Sequence, residues 1–446
     1  MNLQELKEKL RSGNVDAVKS TFTDNSKRVL EALDEYEPKN HEVAKRKDKI
    51  VYTASGDVKD IVKMAKLPIS YQKKIVNSSV VFLFGNPVKM VNETPNNEAD
   101  FKRVREIHKD LRTDVKNREI TKLWLSETEA AKLFVPYKDE AGVPQLKVIL
   151  LAKSKGDTLH TLFDEYGSMI AFGRSYLTQT NGGDINQFFD VYTATTIYKC
   201  SNLHAKPWEV KEEPNLLKKI PVIYWSRKQP DWADVQPLIN RLEWITSHRA
   251  DVNTYTADPI LVLKGNVKSL PGKNEAGKVV VLDEKSSADY LSPQMSVEMV
   301  KDEREHLKEL IHYCTDTPDL SLEKMSNIGN ASGKALEMRF FSAILKALDN
   351  QQFASEMLDR ENNLIISYIK EIESPGNKTI QDLEISLTFS NPLPDNNTDL
   401  IETLITATGG KAILSQETAT ALNPLISDSK TEMTRINNES LSPDLV

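Results

Sequence analysis

Cysteine is nearly absent: Cys200 and Cys314 are the only two in 446 residues, with no CxxC spacing. That excludes a disulfide-stapled scaffold and a thiolate metal site, and leaves two reduced, buried thiols inside regular elements as the expectation. Seven histidines, without an HExxH motif or an i, i+4 pair, exclude the common zinc arrangements. Long apolar runs are missing as well. Stretches such as Val80 to Phe84 fall far short of the roughly 18 residues that a membrane helix requires. The opening MNLQELKEKLRSGN is a charged amphipathic pattern without the apolar core of a signal peptide. An excess of positive charge is lacking too, at a net −7 and a pI near 5.7. This argues against tight binding through phosphate neutralisation, but not against a protein past which nucleic acid slides.

Enzymatic signatures are equally thin. The one phosphate-loop lookalike, Gly329 to Ala335, is a residue short between its glycines and has Ala335 where a magnesium-binding hydroxyl belongs. No strand is predicted before it. Gly-x-Ser-x-Gly is absent, and the many carboxylates form no recognisable catalytic pair. The chain presents no catalytic apparatus and calls for no cofactor or metal.

What is present is a soluble pattern, 39% hydrophobic and 28% charged with a mean hydropathy of −0.45, long enough for about three structural units. Residues 1–50 read as helical and charged. Asp60 to Val76 has helical periodicity interrupted at Pro68, and Ser79 to Val91 turns strand-like around Gly85-Asn86-Pro87. Helix returns over 98–134. From Ala141 to Tyr224 the signal is mostly β, with strands at Leu146–Ala152, Arg174–Thr180, Phe188–Tyr198 and Pro221–Trp225. A hairpin is expected at Asn181-Gly182-Gly183, and one helix over Leu159–Phe172 ending at Gly173.

Asp234 to Val252 is the clearest helix of the first half, with Asp234 as N-cap and Pro237 in the first turn. Val235, Leu238, Leu242 and Ile245 form a thin apolar seam, compatible with packing against neighbours in an oligomer or with an ordinary surface helix. Glu243, His248, Arg249 and Asp251 occupy its other faces. Short strands at Pro259–Gly265 and Lys278–Asp283 follow, then a returning helix, Ser296–Cys314, whose acids read as a solvated or channel-facing surface. Thr315 to Gly333 is a breaker-rich loop of a length that is usually functional or disordered. The longest helix, Lys334–Ile372, carries an apolar stripe through Phe341, Ile344 or Leu345, Leu348 and later Leu364, Ile365, Tyr368 and Ile369. A strand at Ile380–Phe389 and two or three short helices over 396–437 complete the pattern, with the last ten residues expected to be disordered.

This order of elements resembles the portal (head-to-tail connector) proteins of long-tailed phages. The segments that carry the likeness are FLFGNPV at 82–88, KIPVIYW at 219–225, the helix from Asp234, the strand at Pro259–Gly265, and Thr317-Pro-Asp-Leu320 followed by Asn330-Ala-Ser-Gly-Lys-Ala-Leu336. The resemblance covers most of residues 60–395. It implies an α+β portal fold: wing (1–229 and 334–395), helical stem (230–255 and 294–315), β-rich clip (256–293), tunnel loop (316–333), long kinked tunnel helix and helical crown with tail (396–446). It further implies a homo-oligomeric ring, commonly a dodecamer, at the virion's portal vertex, assembled in the host bacterial cytoplasm. Double-stranded DNA passes through it during packaging and ejection. The large terminase, head-completion or adaptor proteins, and the major capsid and scaffolding proteins are the implied partners. On this mapping Lys324, Asn327, Asn330, Ser332 and Lys334 are tunnel-loop candidates for DNA contact. Lys264, Lys268, Lys273 and Lys278 are clip candidates for partner docking, and Val235, Leu238, Leu242 and Ile245 are candidates for the stem seam between subunits. A nucleotide-dependent enzyme built on 329–335 and a generic oligomeric scaffold remain the competing readings.

Overall fold

The computed structural model describes residues 2–94, 97–179, 183–203, 207–257, 260–264, 267–269, 281–282, 287–291, 297–321, 338–377, 379–390, 397–409, 413–423, 426 and 429–441. Two compact units emerge: one of Met1–Pro318 with Ala343–Asn391, the other of Asp319–Ser342 with Pro392–Val446. The first mixes helix and sheet, as expected.

Its largest sheet has six strands in the order β1-β7-β8-β9-β10-β11 (Thr23–Asp24, Asp157–Phe163, Met169–Gln179, Ile185–Tyr192, Thr196–Asn202, Glu209–Pro214). All pairs are antiparallel. Helices α1 (Leu3–Arg11) and α2 (Val15–Lys19) cover one face, burying Leu6, Leu10, Val15 and Val18 against Phe189, Tyr198 and Cys200. A three-stranded sheet, β12-β5-β6 (Val222–Ser226, Glu129–Lys138, Pro144–Leu151), packs against it through Ala131, Leu133, Leu159, Phe172 and Tyr192. The hairpin expected near 181–183 joins β8 to β9, with Gln179 paired to Ile185.

Several local expectations are overturned. Leu159–Phe172 is not a helix but the turn of the β7–β8 hairpin with the strand ends that flank it. The Asp164 carboxylate accepts from the amides of Tyr166 and Ser168, and Gly167 takes φ +79°. Asx-turn chemistry outweighs the weak helical spacing here. Gly173 therefore ends no helix. It sits inside β8, where a Cβ would lie 2.9 Å from the Phe189 ring and 3.1 Å from the His160 Cβ. Asp60–Leu67 is not helical either: β2 (Lys49–Tyr52) and β3 (Val58–Val62) form a hairpin, after which the chain runs extended. Conversely, the strand-like Ser79–Phe84 is the second half of helix α4 (Tyr71–Phe84), whose buried Gln72, Ile75, Val76, Ser79 and Leu83 share a helical face. Gly85 ends that helix, and Arg118 donates to the carbonyls of Phe84 and Gly85 at 2.8 and 2.7 Å. Helix α5 (Glu98–Leu111) and α6 (Thr113–Glu127) follow β4 (Lys89–Asn92), and the chain turns to strand at Glu129 rather than after 134. Cys200 is buried, but Cys314 is exposed at a helix end.

The main core gathers α4, α5, α6 and β5 around α7 (Gln236–Ala257), α8 (Val297–Cys314) and the long helix α9 (Phe341–Tyr368), which ends in a π turn at Ile369–Glu373. Helix α3 (Ser26–Tyr36) lies against α6. The apolar stripe expected at the start of α9 faces the other way from its packing surface. Ala343 and Ala347 are buried while Phe341, Leu345 and Leu348 are exposed, because small side chains allow close helix approach. In the C-terminal strand only Ile385–Thr388 pairs, with β4, after a 3-10 turn at Thr379–Asp382. The second unit contains α10 (Asn397–Thr408), α11 (Gln416–Leu422), capped by Ser415, and α12 (Ser429–Leu441). The last of these carries helix through 437–441, where disorder was expected, with Met433 packed on Thr420.

One buried charge pair ties the middle of the fold together. Lys132 on β5 has no exposed surface, and its Nζ lies 2.5 Å from both Glu361 on α9 and the Asn117 side-chain oxygen on α6. Removing one partner strands the other charge in a dry site. Lys132→Met should lower unfolding free energy by about 3–5 kcal/mol in denaturant melts, and adding Glu361→Leu should restore most of it.

Candidate functional site

Helices α7 and α8 pack as an antiparallel hairpin whose tip carries two small β pairs. Strands β13 (Ile260–Lys264) and β16 (Ser287–Leu291) align antiparallel, and β14 (Val267–Ser269) pairs with β15 (Val281–Leu282). The expected strand at Lys278–Asp283 is thus described only at its centre. Helix α7 begins differently from the expectation. A 3-10 turn, Ala233–Val235, precedes it, so Asp234 lies within that turn and Trp232 takes the cap position. Trp232 is buried, stacked on Tyr36 and bonded through Nε1 to Glu35, and this anchoring sets where the turn begins.

The apolar seam of α7 lies inside the subunit. Val235, Leu242 and Ile245 are buried with Ile239 and with Leu307 and Ile311 of α8, and Leu238 is half-buried. Three of the four seam residues therefore have no surface left for a neighbouring subunit. Acids on α8 do reach solvent: Glu298, Asp302, Glu303, Glu305 and Glu309 are exposed. Glu303 pairs with Arg241 across the hairpin at 2.8 Å, while Arg304 and Lys308 both lean on Glu305.

A second face of α7, which in sequence carries charges beside the seam, is buried. Glu243, Ser247 and Asp251, one turn apart, are all buried. They receive the amides of Ile69 (2.7 Å), Leu67 (3.0 Å) and Ala65 (2.6 Å) from the extended segment that leads into α4. The match is geometric. Two extended residues advance about 6.6 Å and four helical residues about 6.0 Å, so alternate amides meet successive helical turns with little drift. Pro68, which has no N–H, falls between the donating amides of Leu67 and Ile69 and biases Leu67 to extended backbone. Two cations complete the ladder. Arg46 donates to Asp251 (2.8 Å) and to the Ala65 carbonyl (2.6 Å), and lies over the Trp244 ring. The ring nitrogens of His41 face the Glu243 carboxylate (2.6 Å) and the Glu35 carbonyl (2.8 Å). Both partners present acceptors, an arrangement that favours hydrogen on both nitrogens and hence the charged imidazole. Burial opposes that charge, but the hydrogen bond and negative charge of Glu243 prevail and the His41 pKa is raised. Spacing of i, i+4, i+8 among polar residues was visible in the sequence; only their burial reveals their role.

The candidate contact residues divide sharply. Lys264 is exposed on β13 and Lys268 lies within β14. Lys273 and Lys278, and the tunnel-loop set Lys324, Asn327, Asn330, Ser332 and Lys334, lie outside the described residues. The loop's opening is ordered: Thr315 and Thr317 are buried, and Lys346 of α9 donates to the Thr315 carbonyl while pairing with Asp231. Among the described residues no cluster of His, Cys, Asp and Glu offers a metal site, and no helix is long and apolar enough to cross a membrane.

A profile for the phage portal protein family of the SPP1 Gp6-like type matches residues 16–441. This chain belongs to that family. The portal protein of Bacillus phage SPP1 is 22% identical over 477 aligned residues, spanning 97% of this chain and 90% of the relative. Solved structures with a similar course include the neck of an empty gene transfer agent particle (10% identity, TM-score 0.46, 78% of this chain and 88% of that one). Another is the virion of the native particle (11%, TM-score 0.42, 79% and 87%). As a portal protein, the chain is a structural subunit of the ring at the phage head vertex, through which DNA is packaged and ejected.

The ladder generates two expectations. A histidine with a raised folded pKa contributes stability that is full below 6.5 and is lost as pH climbs through the raised value. The melting temperature should therefore fall over that interval, and His41→Gln should flatten the slope. Ser247→Ala, which leaves the Leu67 amide without its acceptor, should cost about 1–3 kcal/mol in the same melts.

Proposed function

We propose that the α7–α8 hairpin is the stem of the portal channel, its β tip the clip where the packaging motor and head-completion proteins dock, and 316–333 the tunnel loop nearest passing DNA. On this reading 1–229 with 334–395 is the wing and 396–446 the crown. The observation that carries it is the hairpin itself. Two packed helices end in a small β unit, with an outer surface on α8 dominated by acids. Each phosphate that a channel neutralises adds salt-dependent affinity and so resists sliding; an acidic wall avoids this. Cationic contact is then confined to the clip lysines and to Lys324 and Lys334, with Asn327, Asn330 and Ser332 as neutral hydrogen-bonding neighbours. The ring is read as a dodecamer that meets the large terminase and the head-completion or adaptor protein at the clip, and the capsid and scaffolding proteins elsewhere. The chain itself supplies no chemistry; the motor's ATP hydrolysis belongs to a partner.

Mass measurement and negative-stain imaging of the purified chain test this directly. Rings with a central hole, twelve copies of a 50.3 kDa chain, are expected; monomers or filaments at every concentration contradict it. Calorimetry with ATP and GTP should show no binding by either wild type or Lys334→Ala.

A further inference from the structure

Where helix α5 gives way to α6, a cavity of about 280 Å³ opens between that junction, helix α9 and the pairing of β4 with the C-terminal strand. Its floor is apolar, made by Val88, Met90, Leu358 and Leu387. Its rim is cationic. Arg105, Lys109 and Arg112 all line it, and their spacing puts them on one face of α5 and its cap. All three are exposed, and none pairs with a described carboxylate. The start of α6 adds to the same field. Thr113 and Asp114 open that helix at the cavity wall, and the first amides of a helix have no partner within it. The Asp114 carboxylate is the one opposing charge among the lining residues, so the three cations leave a net of two positive charges. His108, held below its ordinary pKa by burial, adds none near neutral pH.

Deeper in, Asn362 of α9 lines the cavity and is itself buried. Its side-chain oxygen faces the His108 Nε2 at 2.8 Å, but its amide nitrogen has no hydrogen-bond partner among the described residues. A buried amide left bare costs free energy, and an acceptor held in this cavity would satisfy it.

We propose that the cavity binds a phosphate-class oxyanion, with Arg105, Lys109 and Arg112 as its charge partners and Asn362 as a neutral donor. Guanidinium groups suit such a ligand because each can donate two parallel hydrogen bonds to it. Two net positive charges match a dianion better than a single carboxylate. The apolar floor keeps water from one side and so strengthens the attraction. The site needs no assignment of stem, clip or tunnel loop.

Calorimetric titration of the full-length chain with sodium phosphate, at constant ionic strength in chloride buffer, should show saturable binding at one site per chain. Arg105→Gln with Lys109→Gln should weaken it by about tenfold or more, the scale of losing two charge-assisted hydrogen bonds. Both side chains are exposed, so the melting temperature in chloride should hold. Arg112→Gly should weaken binding too, while suiting the left-handed backbone (φ 52°) that Arg112 takes between the helices. A short DNA duplex titrated in parallel identifies the source. Competition with phosphate that is lost in the same variants assigns the oxyanion to a DNA backbone; a duplex that leaves the phosphate isotherm unchanged assigns it to a free ion. No saturable binding of either titrant, or variants that bind as tightly as wild type, overturns the proposal.

Discussion

The ladder of amides and acidic side chains between residues 65–69 and helix α7 is the contact on which the rest of this subunit depends. It joins the N-terminal third of the chain to helix α7, just ahead of the start of α4. Helix α4 in turn enters the main core with α6 and α9. Polar groups make this joint because the extended segment has amides to satisfy and no neighbouring strand to satisfy them. Helix α7 provides acceptors at the matching interval, and His41 and Arg46 balance the two carboxylates. Without those cations, two acids would be buried unpaired.

A similar economy governs the rest of the interior. Lys132 and Glu361 neutralise each other across β5 and α9, and Asp231 takes Lys346, Arg227 and the Ser79 hydroxyl at once. Most of these links run between elements far apart in sequence, so each fixes how a helix sits against its neighbour. Around these polar links lies an apolar core, while Ile50 and Ile61 of the β2–β3 hairpin and Leu345 and Leu348 of α9 are left exposed.

The hairpin with a decorated tip was legible because its signals are local. Helical spacing, Pro259 and the β-branched run at 260–264 need no knowledge of the remainder of the chain. The β7–β8 hairpin was misread because a periodic stretch of moderate hydrophobicity suits helix and strand alike. What decided it was the Asp164 turn and the contact of Gly173 with Phe189, a residue in a different strand. The start of α9 was misjudged for a related reason. Its large side chains marked a stripe, but alanines made the packed face.

Taken alone, the amino-acid order determined the family, the lack of any apolar run of membrane-spanning length, the strand-rich middle and the placement of the helical hairpin, since each follows from local pattern or from motifs along the chain. Tertiary structure decided which charges are buried. Glu243 and Asp251 look the same in sequence as Glu303 and Asp302, and each helix carries its acids at helical spacing. One pair bears amides and cations in a dry interface while the other is exposed to water. Burial is a property of what packs against a residue, and those partners lie nearly two hundred positions away.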